Sequence, residues 1–246
     1  MKKYFNIIFL LFISLVTLLS SEAGVKVIKN ADEMSWNEAA SGAVNLDTGN
    51  GRQSIVVIDP GHGGRDPGKI GVNNALEKDI NLSISLKLKE LLAQKNIQVI
   101  ITREEDVGLY SESDSNKKRA DLNARVALIK ESNADIAVSI HQNSFTEEYV
   151  KGAQVFYYST SEQGKRLAQI MQETLVETLA DGNHRKAKPN SNYFMLQKVE
   201  CPLVIVECGY LSNREEAALL IDDEYQGKMA QAICQGILAY LEDKHK

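Results

Sequence analysis

The stretch VVIDPGHGGRDPGKIG (residues 56–71) joins a short apolar run to a loop rich in glycine. Residues 56–58 have the β-branched side chains of a buried strand, and the Asp-Pro-Gly that follows ends it. His62 comes next, on a loop whose glycines let the backbone approach another group closely. The stretch therefore predicts a core strand whose carboxyl end carries a candidate functional histidine.

From Ser54 onward the chain alternates between apolar runs of strand length and amphipathic segments of helix length. The segment LEKDINLSISLKLKELLAQ (76–94) spaces its Ile and Leu residues three and four apart, as a helix requires. Runs such as DIAVSIH (135–141) and PLVIVE (202–207) are almost continuously apolar, which is typical of strands covered on both faces. NYFMLQ (192–197) is interpreted as a further short strand. We predict an α/β fold: a single domain with a mixed, largely parallel sheet of about six strands, flanked by helices on both faces.

The N-terminal segment has the features of an export signal. Two lysines precede an apolar run that is short for a membrane span, and small residues up to Ala23 offer a cleavage site. We predict a signal peptide over residues 1–23, a flexible tether over 24–53 and a catalytic domain over 54–246, in an exported, extracytoplasmic protein. The alternative for the first segment is an uncleaved anchor, and the protein would then touch a membrane only there.

Composition excludes some classes of function. The chain is 43% hydrophobic and 25% charged, with a net charge of −5. An acidic chain without stripes of Lys and Arg is a poor candidate for binding nucleic acid, so no nucleic-acid partner is expected. Its three cysteines have neither metal-site nor disulfide-framework spacing. The hydrophobic core, rather than cross-links, should therefore stabilise the domain.

Four polar side chains are expected at one edge of the sheet: His62, Glu77, His141 and Glu207. Three of them come at or after the carboxyl ends of predicted strands, and Glu77 begins the helix that follows the first strand. Each alone has an ordinary structural explanation. A histidine can hydrogen-bond at a strand end, Glu77 can interact with a helix dipole, and Glu207 can pair with a buried arginine. Together they are more informative, because the chain has only four histidines and two of them follow core strands.

Two histidines and one glutamate are the ligand set of a hydrolytic zinc site with an open fourth position. Imidazole nitrogen and carboxylate oxygen suit Zn²⁺, and the absence of thiolates from this set argues against a structural zinc. Glu207 would then be left over, and a metal-dependent hydrolase needs one spare base near the water that attacks. Cys208 is a weaker candidate nucleophile, because it should alternate to the opposite face of its strand.

Five motifs of the sequence resemble those of a known family. IDPGHGGRDPG, LEKDINL, TREED, ADIAVSIHQNS and VIVECGYLSNREEAALL resemble, in order, the motifs of zinc-dependent N-acetylmuramoyl-L-alanine amidases of the Amidase_3 type. The resemblance spans about residues 54–243. It implies one catalytic Zn²⁺ bound by His62, Glu77 and His141, with Glu207 as the catalytic carboxylate. The substrate it implies is peptidoglycan, cleaved between the lactyl group of N-acetylmuramic acid and L-alanine.

The signal-like segment, short tether and lone domain look most like the spore-cortex members of this family. That likeness implies a place in the cell wall or between the forespore membranes, and a first step toward muramic-δ-lactam. It also implies an accessory lipoprotein as a candidate partner, as for some relatives in spore-formers. The sequence departs from the family pattern at Cys208 and in an acidic, serine-rich loop at 106–118.

Two other functions are also compatible with the sequence. The first is another zinc amide hydrolase with the same ligands, such as a wall carboxypeptidase or a deacetylase. The second is a catalytically inactive or partner-dependent module that binds peptidoglycan. The presence of Glu207 argues against a pure binding module, because binding alone does not need that carboxylate.

Overall fold

The structure, a computed structural model, describes residues 52–244. The predicted signal peptide (1–23) and nearly all of the predicted tether (24–53) lie outside the described residues. No helix in the described part of the chain is long and apolar enough to cross a membrane.

Strands and helices alternate through the described residues much as the hydrophobic pattern predicts. In chain order they are β1 (Ile55–Pro60), α1 (Glu77–Ala93), β2 (Gln98–Ile101), α2 (Lys117–Glu131), β3 (Ile136–Asn143), β4 (Gln154–Tyr158), α3 (Glu162–Leu179), β5 (Lys188–Asn190), α4 (Phe194–Lys198), β6 (Leu203–Tyr210), α5 (Arg214–Leu219) and α6 (Asp223–Lys244).

The six strands form one sheet in the order β2-β1-β3-β6-β4-β5. All neighbouring strands are parallel except β4 and β6, which are antiparallel. This confirms the predicted fold class. The carboxyl ends of β1, β3 and β6 consequently meet at one edge of the sheet, where the sequence places three of its four candidate residues.

Alternating side chains of each central strand enter two hydrophobic cores. Val56 and Ile58 belong to the larger core, which also contains the buried faces of α1, α3 and α6. Val57 points to the opposite side, where the buried residues of α2 and α4 cover the sheet. Because both faces are covered, the central strands are largely apolar, and most of their polar residues lie near the carboxyl ends.

The interpretation of NYFMLQ as a strand is wrong. The strand in this region is β5, and Phe194–Lys198 forms a single helical turn instead. The side chain of Asn190 accepts hydrogen bonds from the backbone N–H groups of residues 192 and 193, which ends β5 and turns the chain. Met195 and Leu196 are then both buried, although they are adjacent in sequence and a strand would separate them.

Candidate metal centre

His62, Glu77 and His141 converge at the carboxyl ends of β1 and β3. One ligand atom from each residue lies within 4.8 Å of the other two. Nε2 of His62 is 3.2 Å from Oε1 of Glu77, and Nδ1 of His141 is 3.0 Å from the same oxygen. The two imidazole rings are nearly perpendicular, with centroids 5.0 Å apart. Two ring nitrogens therefore face one carboxylate oxygen, as three ligands of a single ion would.

The loop after β1 reaches this position through an unusual backbone. His62 has a φ of +63°, a left-handed conformation that is uncommon outside glycine. The preceding Gly61 lies against the His141 ring so closely that a β-carbon would overlap the imidazole. Its backbone N–H donates to the carbonyl of Ile140 at 3.0 Å, which ties the loop to β3. The glycine is thus needed for close approach of the two histidines.

A buried ionic cluster holds the backbone of residues 60–62 from behind. Arg125 donates to the first and third carbonyl oxygens of this segment, at 2.7 and 2.6 Å, and Arg103 donates to the middle one at 3.0 Å. Asp59 is paired with Arg125 at 2.7 Å, and both side chains are almost fully buried. The strained histidine is therefore fixed by side chains that come from other elements of the fold.

The orientation of His62 is set by Asp66. The Asp66 carboxylate lies 2.9 Å from Nδ1 of His62 and accepts its hydrogen, which leaves Nε2 facing Glu77. Burial alone would lower the pKa of His62, but hydrogen bonds and charge from Glu77 and then Asp66 outweigh it, so the pKa is raised. A carboxylate behind a histidine is a common arrangement at metal sites, where it fixes the tautomer.

Glu77 is the first residue of α1 and is held ionised by its neighbours. Its Oε1 also accepts the backbone N–H of Gln142 at 3.0 Å, and its Oε2 accepts that of Lys69 at 2.7 Å. Burial acts to raise the pKa of this carboxyl, but hydrogen bonds from His141 and His62 outweigh it, and the pKa lies far below its ordinary value. The side chain is therefore an anion at neutral pH, as a metal ligand must be.

Glu207 lies beside His141, its direct partner in the register between β3 and β6. Neither residue ends its strand as the sequence predicts, because β3 continues to Asn143 and β6 to Tyr210. Oε2 of Glu207 is buried and has no hydrogen-bond partner among the described residues. Burial, with a contribution from the charge of Glu77, raises the pKa of Glu207 to about 7. A carboxyl group with this pKa can accept and return a proton near neutral pH.

Two of the alternative explanations do not fit the structure. The buried Arg125 pairs with Asp59 and Asp121, not with Glu207. Cys208 is fully buried in the larger core, and burial raises the pKa of its thiol far above the ordinary value, which is unfavourable for a nucleophile. His184 is exposed and His245 lies outside the described residues.

The donor set fits a catalytic zinc ion. Two imidazole nitrogens and one carboxylate oxygen converge, and Asp66 supports one of the imidazoles from behind. The partnerless oxygen of Glu207 lies in the lining of the same cavity, which has a volume of about 330 Å³. Apolar side chains also line this cavity, from Leu122, Tyr193, Phe194, Met195 and Ile205.

Sequence reasoning did not identify every residue of this centre. Asp66 was missed, although its position four residues after His62 in the same loop is a usable signal. Lys69 and Lys118 also line the cavity and were missed, since nothing in their local sequence distinguishes them from surface lysines.

The chain is similar to known amidases over most of the residues that the structure describes. The Amidase_3 family of N-acetylmuramoyl-L-alanine amidases matches residues 56–239. The germination-specific N-acetylmuramoyl-L-alanine amidase of Bacillus subtilis (strain 168) is 38% identical over 193 residues, which cover 77% of this chain and 81% of the relative.

Solved structures show the same fold. The CwlD amidase from Clostridioides difficile, solved in complex with the GerS lipoprotein, is 40% identical with a TM-score of 0.75, over 78% of this chain and 100% of that one. The amidase AmiC2 of Nostoc punctiforme is 35% identical with a TM-score of 0.68, over 77% and 97% of the two chains. The chain therefore belongs to the Amidase_3 family of N-acetylmuramoyl-L-alanine amidases.

Proposed function

We propose that this amidase depends on one zinc ion held by His62, Glu77 and His141, and that Glu207 is its general base and acid. The substrate is the amide between the lactyl group of N-acetylmuramic acid and the L-alanine of the stem peptide. The observation that carries the proposal is the buried, partnerless oxygen of Glu207 beside three converging ligand atoms. Such a carboxyl is costly to bury, and a role in proton transfer explains its position.

Each residue of the centre has a defined part in the hydrolysis. When bound, the zinc ion would act as a Lewis acid, which polarises the scissile carbonyl and makes a neighbouring water more acidic. Glu207 takes a proton from the attacking water and returns it to the departing nitrogen, so the C–N bond breaks and the amine of L-alanine leaves neutral. Asp66 keeps His62 in the tautomer whose Nε2 faces the centre. The products are a lactyl carboxyl group, which gives up the remaining proton of the water to the solvent, and a peptide that begins with L-alanine.

The biological setting that we propose is the spore cortex. The support is the likeness to a germination-specific amidase and to the CwlD amidase. Removal of the peptide frees the lactyl carboxyl group. Later enzymes would have to remove the N-acetyl group and join the freed amine to this carboxyl group, with loss of water, to form muramic-δ-lactam. This setting requires export, to the cell wall or to the space between the forespore membranes.

An accessory lipoprotein is part of the same proposal. The structural neighbour with the TM-score of 0.75 was solved with the GerS lipoprotein bound. By analogy, activity or zinc binding of this chain would depend on a companion lipoprotein, and every assay should be run with and without one.

Product analysis tests the reaction directly. The full chain is incubated with purified peptidoglycan and zinc, with a chelator as the control, and the soluble products are identified by mass spectrometry. We expect peptides with a free N-terminal L-alanine, and none when zinc is removed. Release of terminal amino acids alone would indicate a carboxypeptidase, and release of acetate a deacetylase. Binding to the wall without any product, even with the lipoprotein present, would favour the binding module.

A further inference from the structure

Two lysines in the lining of the cavity at the metal centre form no ion pair with the residues that the structure describes. Within residues 52–244, no carboxylate lies within ion-pair distance of the ammonium of Lys69 or Lys118, and both side chains are exposed. Neighbouring lysines are different. Lys78 is paired with Asp106, and Lys117 with Glu112. These two positive charges are therefore available to a ligand in the cavity.

Residues 117–119 at the start of α2 are all cationic, and their side chains differ in whether they are engaged by other groups. Lys117 donates to the carbonyl oxygen of Glu112 at 2.8 Å, and the guanidinium of Arg119 stacks over the ring of Phe194 at 4.2 Å. Lys118, between them, makes neither kind of contact and lines the cavity together with Leu122, one helical turn further on.

Lys69 reaches the cavity from the loop between β1 and α1. Its backbone N–H donates to Oε2 of Glu77 at 2.7 Å, so its main chain is fixed beside the metal centre. Its charge interacts with Glu207, and that of Lys118 interacts with Asp66. Both lysines therefore act electrostatically on groups of the centre, and both line the cavity that a ligand at the centre would occupy.

The cavity lining also contains the carboxyl groups of Glu77 and Glu207, but these lie at the metal centre, so the two lysines are the charges that would attract an anionic part of the ligand away from the centre. In peptidoglycan the residue after L-alanine is an acidic one, and in walls where it is not amidated it has a free carboxyl group. At about 3.5 Å per residue, that carboxylate lies about 7 Å along the peptide from the scissile amide. This is within the reach of a lysine side chain that lines the same cavity.

We propose that Lys69 and Lys118 form a subsite for the free carboxylate of the second stem-peptide residue. The inference rests on the proposed function, because it takes the stem peptide to be the substrate. The subsite would orient the peptide so that the amide lies at the metal centre with L-alanine on the leaving side. It would also make the enzyme discriminate between walls in which this carboxylate is free and walls in which it is amidated.

The test compares two soluble substrates that differ only at the α-carboxyl of the second residue: N-acetylmuramoyl-L-alanyl-γ-D-glutamyl-L-lysine, in which it is free, and N-acetylmuramoyl-L-alanyl-D-isoglutaminyl-L-lysine, in which it is amidated. The double variant Lys69→Gln/Lys118→Gln removes both charges and keeps most of the side-chain length. Lys165→Gln on α3 is the control, because that lysine is exposed and lies outside the cavity lining. We expect the unmodified enzyme and the control to prefer the acid through a lower KM. The double variant should lose this preference, with KM for the acid about 3- to 20-fold higher and kcat little changed.

Binding of the free tripeptide L-alanyl-γ-D-glutamyl-L-lysine, measured by calorimetry at two salt concentrations, gives a second measurement that needs no hydrolysis. Tighter binding than to its amide, lost in the double variant, supports the subsite even if the proposed reaction fails. Equal binding of acid and amide by the unmodified protein would overturn it. A preference that instead follows the C-terminal carboxylate of a longer peptide, tested by amidating that end, would also overturn it.

Discussion

Gly61 lies directly against the imidazole of His141, and the ring occupies the space that a β-carbon at position 61 would need. Gly61→Ala should therefore displace His141 or the loop that carries His62. Since one ligand would move out of place, we expect zinc affinity to fall at least as far as when a supporting residue is lost, about 10- to 100-fold. Competition with a chromophoric chelator measures the affinity.

The control for this prediction is Gly227→Ala on α6. A β-carbon at Gly227 would meet open space, and the residue has ordinary helical surroundings. The free energy of unfolding should stay the same or rise by up to about 1 kcal/mol, because alanine is the better helix former. Unchanged zinc affinity in Gly61→Ala would mean that the two histidines do not act as one site.

Asp66 should matter for metal binding although its carboxylate is not among the three converging ligands. Asp66→Ala removes the acceptor from Nδ1 of His62, so the tautomer that presents Nε2 is no longer favoured. We expect a loss of about 10- to 100-fold in zinc affinity without a large loss of stability. Asp223→Ala, which removes a surface carboxylate paired with Lys87, is the matched control and should bind zinc normally. Equal affinity in the two variants would contradict the assigned role.

The pair of Asp59 and Arg125 should make the apoprotein sensitive to acid. Burial acts to raise the pKa of Asp59, but the charge of Arg125 and hydrogen bonds from Thr102 and Ser139 outweigh it, and the pKa is lowered. A carboxyl whose folded pKa is lowered stabilises the fold above its unfolded pKa of about 3.9, and this stabilisation is lost as pH falls through the folded value.

Asp59→Asn, studied with a chelator present, measures this contribution. At pH 7 the free energy of unfolding of the variant should be about 3–5 kcal/mol lower than that of the unmodified protein, because Arg125 stays buried without its anion. The difference from the unmodified protein should shrink as pH falls below about 4, as followed by urea unfolding at several pH values. A difference that stays constant down to pH 2 would show that the ionised carboxylate contributes little.

The three cysteines should behave as buried thiols. All three are free, with Cys208 and Cys234 buried and Cys201 half-buried. Burial raises the pKa of Cys201 and of Cys234 to about 11, so little reactive thiolate exists at pH 7. We expect slow modification by a thiol reagent in the native protein and three reactive thiols after denaturation without reductant. Only one thiol after denaturation would reveal a disulfide.

Much of the centre could be predicted because parallel strands bring their carboxyl ends together. His62, His141 and Glu207 follow apolar runs, and that position alone placed them at one edge. The pairing of Asp59 with Arg125 could not be predicted, because 66 residues separate them and neither lies in a local pattern. The turn at Asn190 depends on side-chain hydrogen bonds to the backbone, which hydrophobic periodicity does not report, so the α4 segment was misassigned.

Comparing Glu207→Gln with Glu77→Gln tests the central claim most directly, since the same chemical change is made at the proposed base and at a proposed ligand. Zinc content and the rate of L-alanine amide hydrolysis are measured on both. Glu207→Gln should keep close to one zinc ion per chain while its rate falls by about 10²–10⁴, because an amide cannot accept the water's proton. Glu77→Gln should lose zinc and activity together. Loss of zinc from Glu207→Gln, or near-normal turnover by it, would contradict the account.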